Sequence, residues 1–187
     1  MNSAAFFDGL LALVAFWLAA VPGRRSTAVR LAALLLGGAA TLGSLRFYGV
    51  LGLVELHQFA SALGAAVALP LLGSVALWPA GVLAQQRRYA WIFAVTAAAL
   101  CVVVVVVAGI KLWASAWALL SAVAMLLVAM RRAQWWSAGA ALFMLSGFAA
   151  FVGQLQALPL QPGDFLHIGM AIGLLLYGRA CAQLLPK

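Results

Sequence analysis

His57 and His167 are the only histidines in this chain of 187 residues, and Asp8, Glu55 and Asp164 are its only acidic residues. Imidazoles and carboxylates together can ligate a metal, relay a proton or activate a water. Asp164 precedes His167 by three residues, which places both on one face of a helix's first turn. It could orient the imidazole, but capping that helix is the expected role. Glu55 lies two residues from His57 and points elsewhere on a regular helix, becoming a partner only if the helix begins after it. Asp8 is expected in the first turn of the first apolar segment, where a carboxylate suits the helix dipole. A buried carboxylate completing a metal or relay site is the lesser alternative there. Ser44 and Tyr48, one turn apart, add hydroxyls to the same surface.

The histidines also occupy matching places. A shift of 110 residues superposes Leu35, Gly37, Ala39, Ala40, Gly43, Leu45, Leu56 and His57 on identical residues. Their counterparts are Leu145, Gly147, Ala149, Ala150, Gly153, Leu155, Leu166 and His167. Leu and Ala recur here by composition alone, so the glycines and the histidine carry the signal. Within each half, Ala39-x-x-x-Gly43 and Ala149-x-x-x-Gly153 are small-residue pairs one turn apart, the pattern of close helix packing in lipid.

The composition says where such residues must sit. Hydrophobic residues make up 67% of the chain and charged residues only 7%, against about 25% charged in an ordinary soluble domain. That much apolar surface requires lipid as solvent. The net charge of +8 would suggest nucleic acid in a soluble protein, but these basic residues are spaced between apolar segments. They read as topology signals and lipid-headgroup contacts, so membrane lipids and not nucleic acid are the expected partners.

Seven spans follow, at roughly 4–22, 28–45, 54–78, 89–108, 112–130, 138–156 and 165–184, each near the ~20 residues a bilayer demands. Left as one helix, Tyr89 to Met130 would be about 63 Å long, twice the hydrocarbon thickness, so Gly109-Ile110-Lys111 must be a corner. Pro70 and Gly73 inside the third span predict a kink or tilt. The reading is therefore a single all-α domain of seven transmembrane helices. Halves of about 1–80 and 110–187 form a parallel three-plus-one-plus-three pseudo-repeat, joined by a connector helix at about 89–108. Parallel repeats on this plan occur in membrane carriers, the sugar-transporting SWEET group among them, though the proline-glutamine signature of the related PQ-loop family is absent.

With the N-terminus outside, Arg24, Arg25, Arg30, Arg87, Arg88, Arg131, Arg132, Arg179 and Lys187 become cytoplasmic, leaving Arg46 and Lys111 on the other face. Nine against two fixes the orientation by the positive-inside rule. Both histidines and all three acids then gather outside. Trp78, Trp91, Trp135 and Trp136 flank the cytoplasmic loops, while Trp113 and Trp117 follow the outer turn, as interfacial belts do. Nothing basic precedes the first apolar run, and Arg24 and Arg25 follow it, so the segment is expected to stay as a helix and not be cleaved as a signal peptide. A multi-pass protein of the bacterial inner membrane is the expected setting. Cys101 and Cys181 form no motif that supports a disulfide framework or a thiolate metal site.

Two family resemblances arise at these residues. The chain resembles a group of uncharacterised bacterial seven-span proteins in Asp8 opening span 1, in the Gly37–Gly43 stretch, and in a last span reading Phe165-Leu166-His167 through Leu176-Tyr177-Gly178-Arg179. It is more distantly similar to the CREST superfamily of seven-span hydrolases, which pairs a serine and a histidine near the end of span 2 with an aspartate in span 3 and an HxxxH pair opening span 7. That resemblance implies Ser44 as the serine and His167 as one of three zinc-holding histidines. Tyr48 stands where the span-2 histidine would come, and neither Gly163 nor Ala171 supplies the second histidine of span 7.

Four functions are compatible with these residues. The leading one is a membrane protein with a ligand or metal site on the outer face near His57 and His167. The second is a CREST-like hydrolase of lipid amides or esters, in which His57, His167 and Asp8 or Asp164 hold a zinc that activates water. Ser44, Asp8 and Asp164 are its catalytic candidates. The third is electron transfer through a b-type haem held by the two histidines, and the fourth a small carrier. Scarce charge along the spans argues against proton-coupled transport. No phosphate-binding loop, GxSxG elbow or HExxH motif occurs.

Overall fold

A computed structural model describes residues 2–50, 52–110, 112–157 and 160–185. Lys111, the third residue of the expected corner, and Lys187, counted in the charge bias, lie outside these. Seven helices are long and apolar enough to cross a membrane: α1 (Ser3–Ala20, extended by a 3-10 turn at Pro22–Arg25), α2 (Thr27–Phe47), α3 (Val54–Leu77), α4 (Arg87–Val107), α5 (Leu112–Arg131), α6 (Trp135–Val152) and α7 (Pro162–Leu184). There is no strand among the described residues, only an isolated bridge between Ala157 and Leu160.

Six of the spans start and end within three residues of the sequence expectation. The sixth lies about three residues earlier than expected: Trp135 and Trp136 form its first turn and do not merely flank the loop. The chain leaves that helix at Gly153, and Gln154 follows at a left-handed φ of 52°. The α4–α5 corner falls where expected, with Gly109 at φ +70°, a conformation that costs glycine nothing.

Helix α1 packs on α2 and α7, α2 on α3, α3 on α5, α5 on α6, and α6 on α7. These six helices close a ring. Helix α4 stands outside it against α2, α3 and α5.

Lipid gives no hydrophobic push between helices, so the ring holds by close dispersion contact and cross-helix hydrogen bonds. Both α1 and α2 bury small residues, among them Ala15, Ala28, Ala32 and Ala33, and a Cβ on Gly37 would lie 2.8 Å from the Phe16 ring of α1. Between α6 and α7 the contact is backbone against backbone: a Cβ on Gly169 would lie 2.6 Å from the Phe143 carbonyl oxygen and 2.8 Å from the Gly147 Cα. At the basic end the buried Tyr177 hydroxyl donates to the Leu72 carbonyl (2.7 Å), tying α7 to α3. The Ser26 hydroxyl donates to Ala84 (2.9 Å).

Ala39 and Gly43 are both buried, as the small-residue pair on α2 predicts. The matching pair on α6 is a correction. Ala149 and Gly153 are exposed, and a Cβ on Gly153 would meet only the Ala149 carbonyl of its own turn. The close approach of α6 is made six residues before Gly153, at Gly147.

The irregularity expected in α3 takes the form of a π turn at Gly64–Ala68, directly before Pro70. Proline cannot donate and its ring crowds the preceding turn. The wider turn absorbs this, with the Leu69 amide donating to the Gly64 carbonyl. The π turn faces the space inside the ring, which brings the fold to its site.

Candidate functional site

The ring and α4 together line an open cavity of about 760 Å³ to which all seven helices contribute. Its polar side chains gather at the histidine end: Asp8 from α1, Arg46 from α2, Glu55, His57 and Gln58 from α3, and His167 from α7. Ser61 and Ser115 add hydroxyls. Deeper in the bundle the lining is apolar, with Leu36, Ala40, Leu69, Ala122, Met144 and Met170. The lining is thus polar at one end, the head pocket, and apolar along the rest, the shaft.

Asp8 is the centre of the head pocket. Asn2 caps α1, its side chain accepting from the Ala4 amide (3.1 Å), and the helix starts at Ser3. Asp8 therefore sits in the second turn and not in the first. At 1% exposure it is a buried carboxylate and no dipole-compensating surface acid. One carboxylate oxygen, Oδ1, faces His167 Nε2 at 3.2 Å across the α1–α7 contact. The other, Oδ2, is buried with no hydrogen-bond partner.

His57 approaches from the opposite side. A Cβ on Gly43 would strike the Asp8 carboxylate and come within 2.8 Å of His57 Nε2. The missing side chain of Gly43 is thus what lets α1, α2 and α3 bring Asp8 and His57 together. His57 Nδ1 accepts from Arg46 Nη1 (3.2 Å), which leaves Nε2 as the protonated nitrogen turned toward this space.

The two repeat-matched histidines accordingly line one cavity on either side of Asp8. A haem macrocycle bridging them would have to displace that carboxyl group. Among the described residues no group of three or more His, Cys, Asp or Glu side chains is placed to hold one metal ion.

Asp164 is fully buried at the start of α7. Its Oδ2 accepts from the Gln161 amide (2.9 Å), so it caps the helix from the third helical position, reciprocally with Gln161. It makes no bond to His167, whose Nδ1 is buried without a partner, as is Asp164 Oδ1. Glu55 lies in the first turn of α3, exposed at the cavity mouth.

Ser44 does not reach the cavity. Its hydroxyl donates to the Ala5 carbonyl (2.9 Å) and joins α2 to α1. Tyr48 ends α2 and is 65% exposed. Cys101 and Cys181 are free and buried.

The chain matches no protein-family model, and no curated protein and no solved structure matches it significantly.

Arg46 is the site residue that sequence reasoning passed over. Among eleven basic residues it read as one of two exceptions to the topology rule. Its position eleven residues before His57, with both helix ends meeting at one short loop, is the signal that could have found it.

Proposed function

We propose that the protein is a bacterial inner-membrane binding protein for a small amphipathic molecule. The guest's head group lies among Asp8, His57 and His167, and its apolar tail runs along the shaft toward Met144 and Met170. The observation that carries this is the buried, unpartnered Asp8 Oδ2 at the polar end of an apolar cavity. A buried acceptor without a donor costs about 1–3 kcal/mol; Oδ2 presents no surface to the cavity, so a guest recovers that cost by drawing the carboxyl group toward its own donor.

The free polar atoms define the head group. Asp8 Oδ2 accepts. With Nε2 donating to Asp8, His167 Nδ1 also accepts. The head group must therefore bring N–H or O–H donors, as an amine, a hydroxyl or a primary amide does. His57 Nε2 and Arg46 supply donors for one oxygen acceptor beside it. A donor-rich head on an apolar tail fits; a plain hydrocarbon or an ester without a hydroxyl does not.

In this reading the positive-inside rule places the N-terminus and the head pocket on the outer face, and the arginine-rich end in the cytoplasm. The guest then enters from the outer leaflet or the space beyond it.

The test is thermal stability of the detergent-purified protein with a monoacylglycerol or a long-chain amino alcohol, against the methyl ester of the same chain. At about a hundred times Kd a bound guest should raise Tm by roughly 5–10 °C. The methyl ester should not, and Asp8→Asn should remove the difference. Equal shifts from all three molecules would mean that the apolar chain alone is recognised, against this proposal.

A further inference from the structure

A second cavity, of about 700 Å³, opens at the opposite, basic end of the bundle, where the Pro22–Arg25 turn and α1 meet α7. Arg25 and Arg179 line it together with Trp17 and Trp136. Its floor follows from one glycine. A Cβ on Gly178 would lie 2.6 Å from two atoms at the outer edge of the Trp17 indole, so the ring packs directly on α7 and forms a wall of the cleft.

The charge in this cleft is uncompensated by side chains. Both arginines are exposed, and among the described residues neither makes an ion pair or a side-chain hydrogen bond. All three acidic residues belong to the other end of the molecule. The cleft also opens sideways, beside Val21 and Leu175, which are 56% and 45% exposed on the lipid-facing surface.

We infer that this cleft binds the headgroup of an anionic phospholipid from the leaflet at the basic end. The guanidinium groups of Arg25 and Arg179, which line the same cleft, donate to the phosphodiester as planar forks that match phosphate oxygens two at a time. Trp136 and Trp17 lie at the level where indoles meet headgroups, and an acyl chain descends along Leu175. Basic pockets between transmembrane helices take anionic headgroups by this combination of charge and interfacial aromatic surface. The site is separate from the ligand cavity and does not depend on the reading given to it.

Native mass spectrometry of the full chain, released from detergent with equal amounts of phosphatidylglycerol and phosphatidylcholine of identical acyl chains, tests this. Phosphatidylglycerol should be retained in preference. In Arg25→Gln/Arg179→Gln its apparent affinity should fall by roughly 30-fold, while Arg87→Gln/Arg88→Gln, which removes two charges elsewhere at the same end, keeps it. Should the double variant fail to fold, the single variants are read instead, each with a loss of about fivefold. Millimolar glycerol 3-phosphate, which carries the phosphate without the chains, should not displace the lipid. No preference for the anionic lipid, equal losses in the control variant, or displacement by glycerol phosphate would each overturn the assignment.

Discussion

Asp8 Oδ1 and His167 Nε2 meet at 3.2 Å across the contact between the first and last helices, closing the ring of six at its polar end. The carboxylate is 1% exposed and the imidazole 17%. The contact joins α1 to α7 through two ionisable side chains, so each should support the other in holding the ring closed.

This support should appear as coupling. In a double-mutant cycle with Asp8→Asn and His167→Gln, unfolding in detergent should give an interaction of about 1 kcal/mol or more, in the range measured for residues in direct polar contact. Additive single effects would show that the two side chains do not support each other.

The repeat-matched glycines should behave differently. Gly43→Ala places a methyl group against Asp8 and His57, so it should abolish guest-dependent stabilisation and cost about 1–3 kcal/mol by overpacking. Gly153→Ala lies on an exposed helix end and should change stability by less than about 0.5 kcal/mol. Chemical denaturation of the two variants side by side decides this.

Gly169→Ala should be among the most damaging single-methyl changes in the chain. Its new carbon would meet the Phe143 carbonyl and the Gly147 backbone, which can yield only if α6 and α7 separate. A loss of about 1–3 kcal/mol is expected, checked by the same denaturation measurement. A variant as stable as the parent would show that the two helices are not in backbone contact.

Seven spans and the corner at Gly109 were readable because bilayer thickness limits helix length and glycine alone takes that φ without strain. The placement of Asp8 was not. Asn2 caps the helix only one residue before the expected start, and what the sequence could not show is that α7 packs over this part of α1 and buries Asp8 against His167. The small-residue pair on α6 failed for a related reason. Spacing along one helix nominates glycines, but close approach also needs a partner backbone, and Gly147 has Gly169 where Gly153 has none. The proposed duplication is permitted by the ring order of the helices, while Gly43 and Gly153 share no environment. Ser44 was chosen for its hydroxyl, which a neighbouring carbonyl at Ala5 has claimed.

Orientation has its own check. Reporter fusions after Arg88 and after Arg132 should both report the cytoplasm, as the clustering of arginines at that end requires. Fusions reporting the outside would put the head pocket in the cytoplasmic leaflet.

The central claim is that a donor-bearing amphipath lies inside the ring with its head at Asp8. Photo-crosslinking tests it most directly, using a long-chain amino alcohol with a diazirine at mid-chain, followed by peptide mapping. The predicted labels fall on cavity-lining residues of α2, α6 and α7, such as Leu36, Met144 and Met170. Excess unlabelled amphipath should compete them away, and Asp8→Asn should lack them. Labels confined to lipid-facing positions such as Leu13 and Val107, uncompeted and unchanged in Asp8→Asn, would contradict the account.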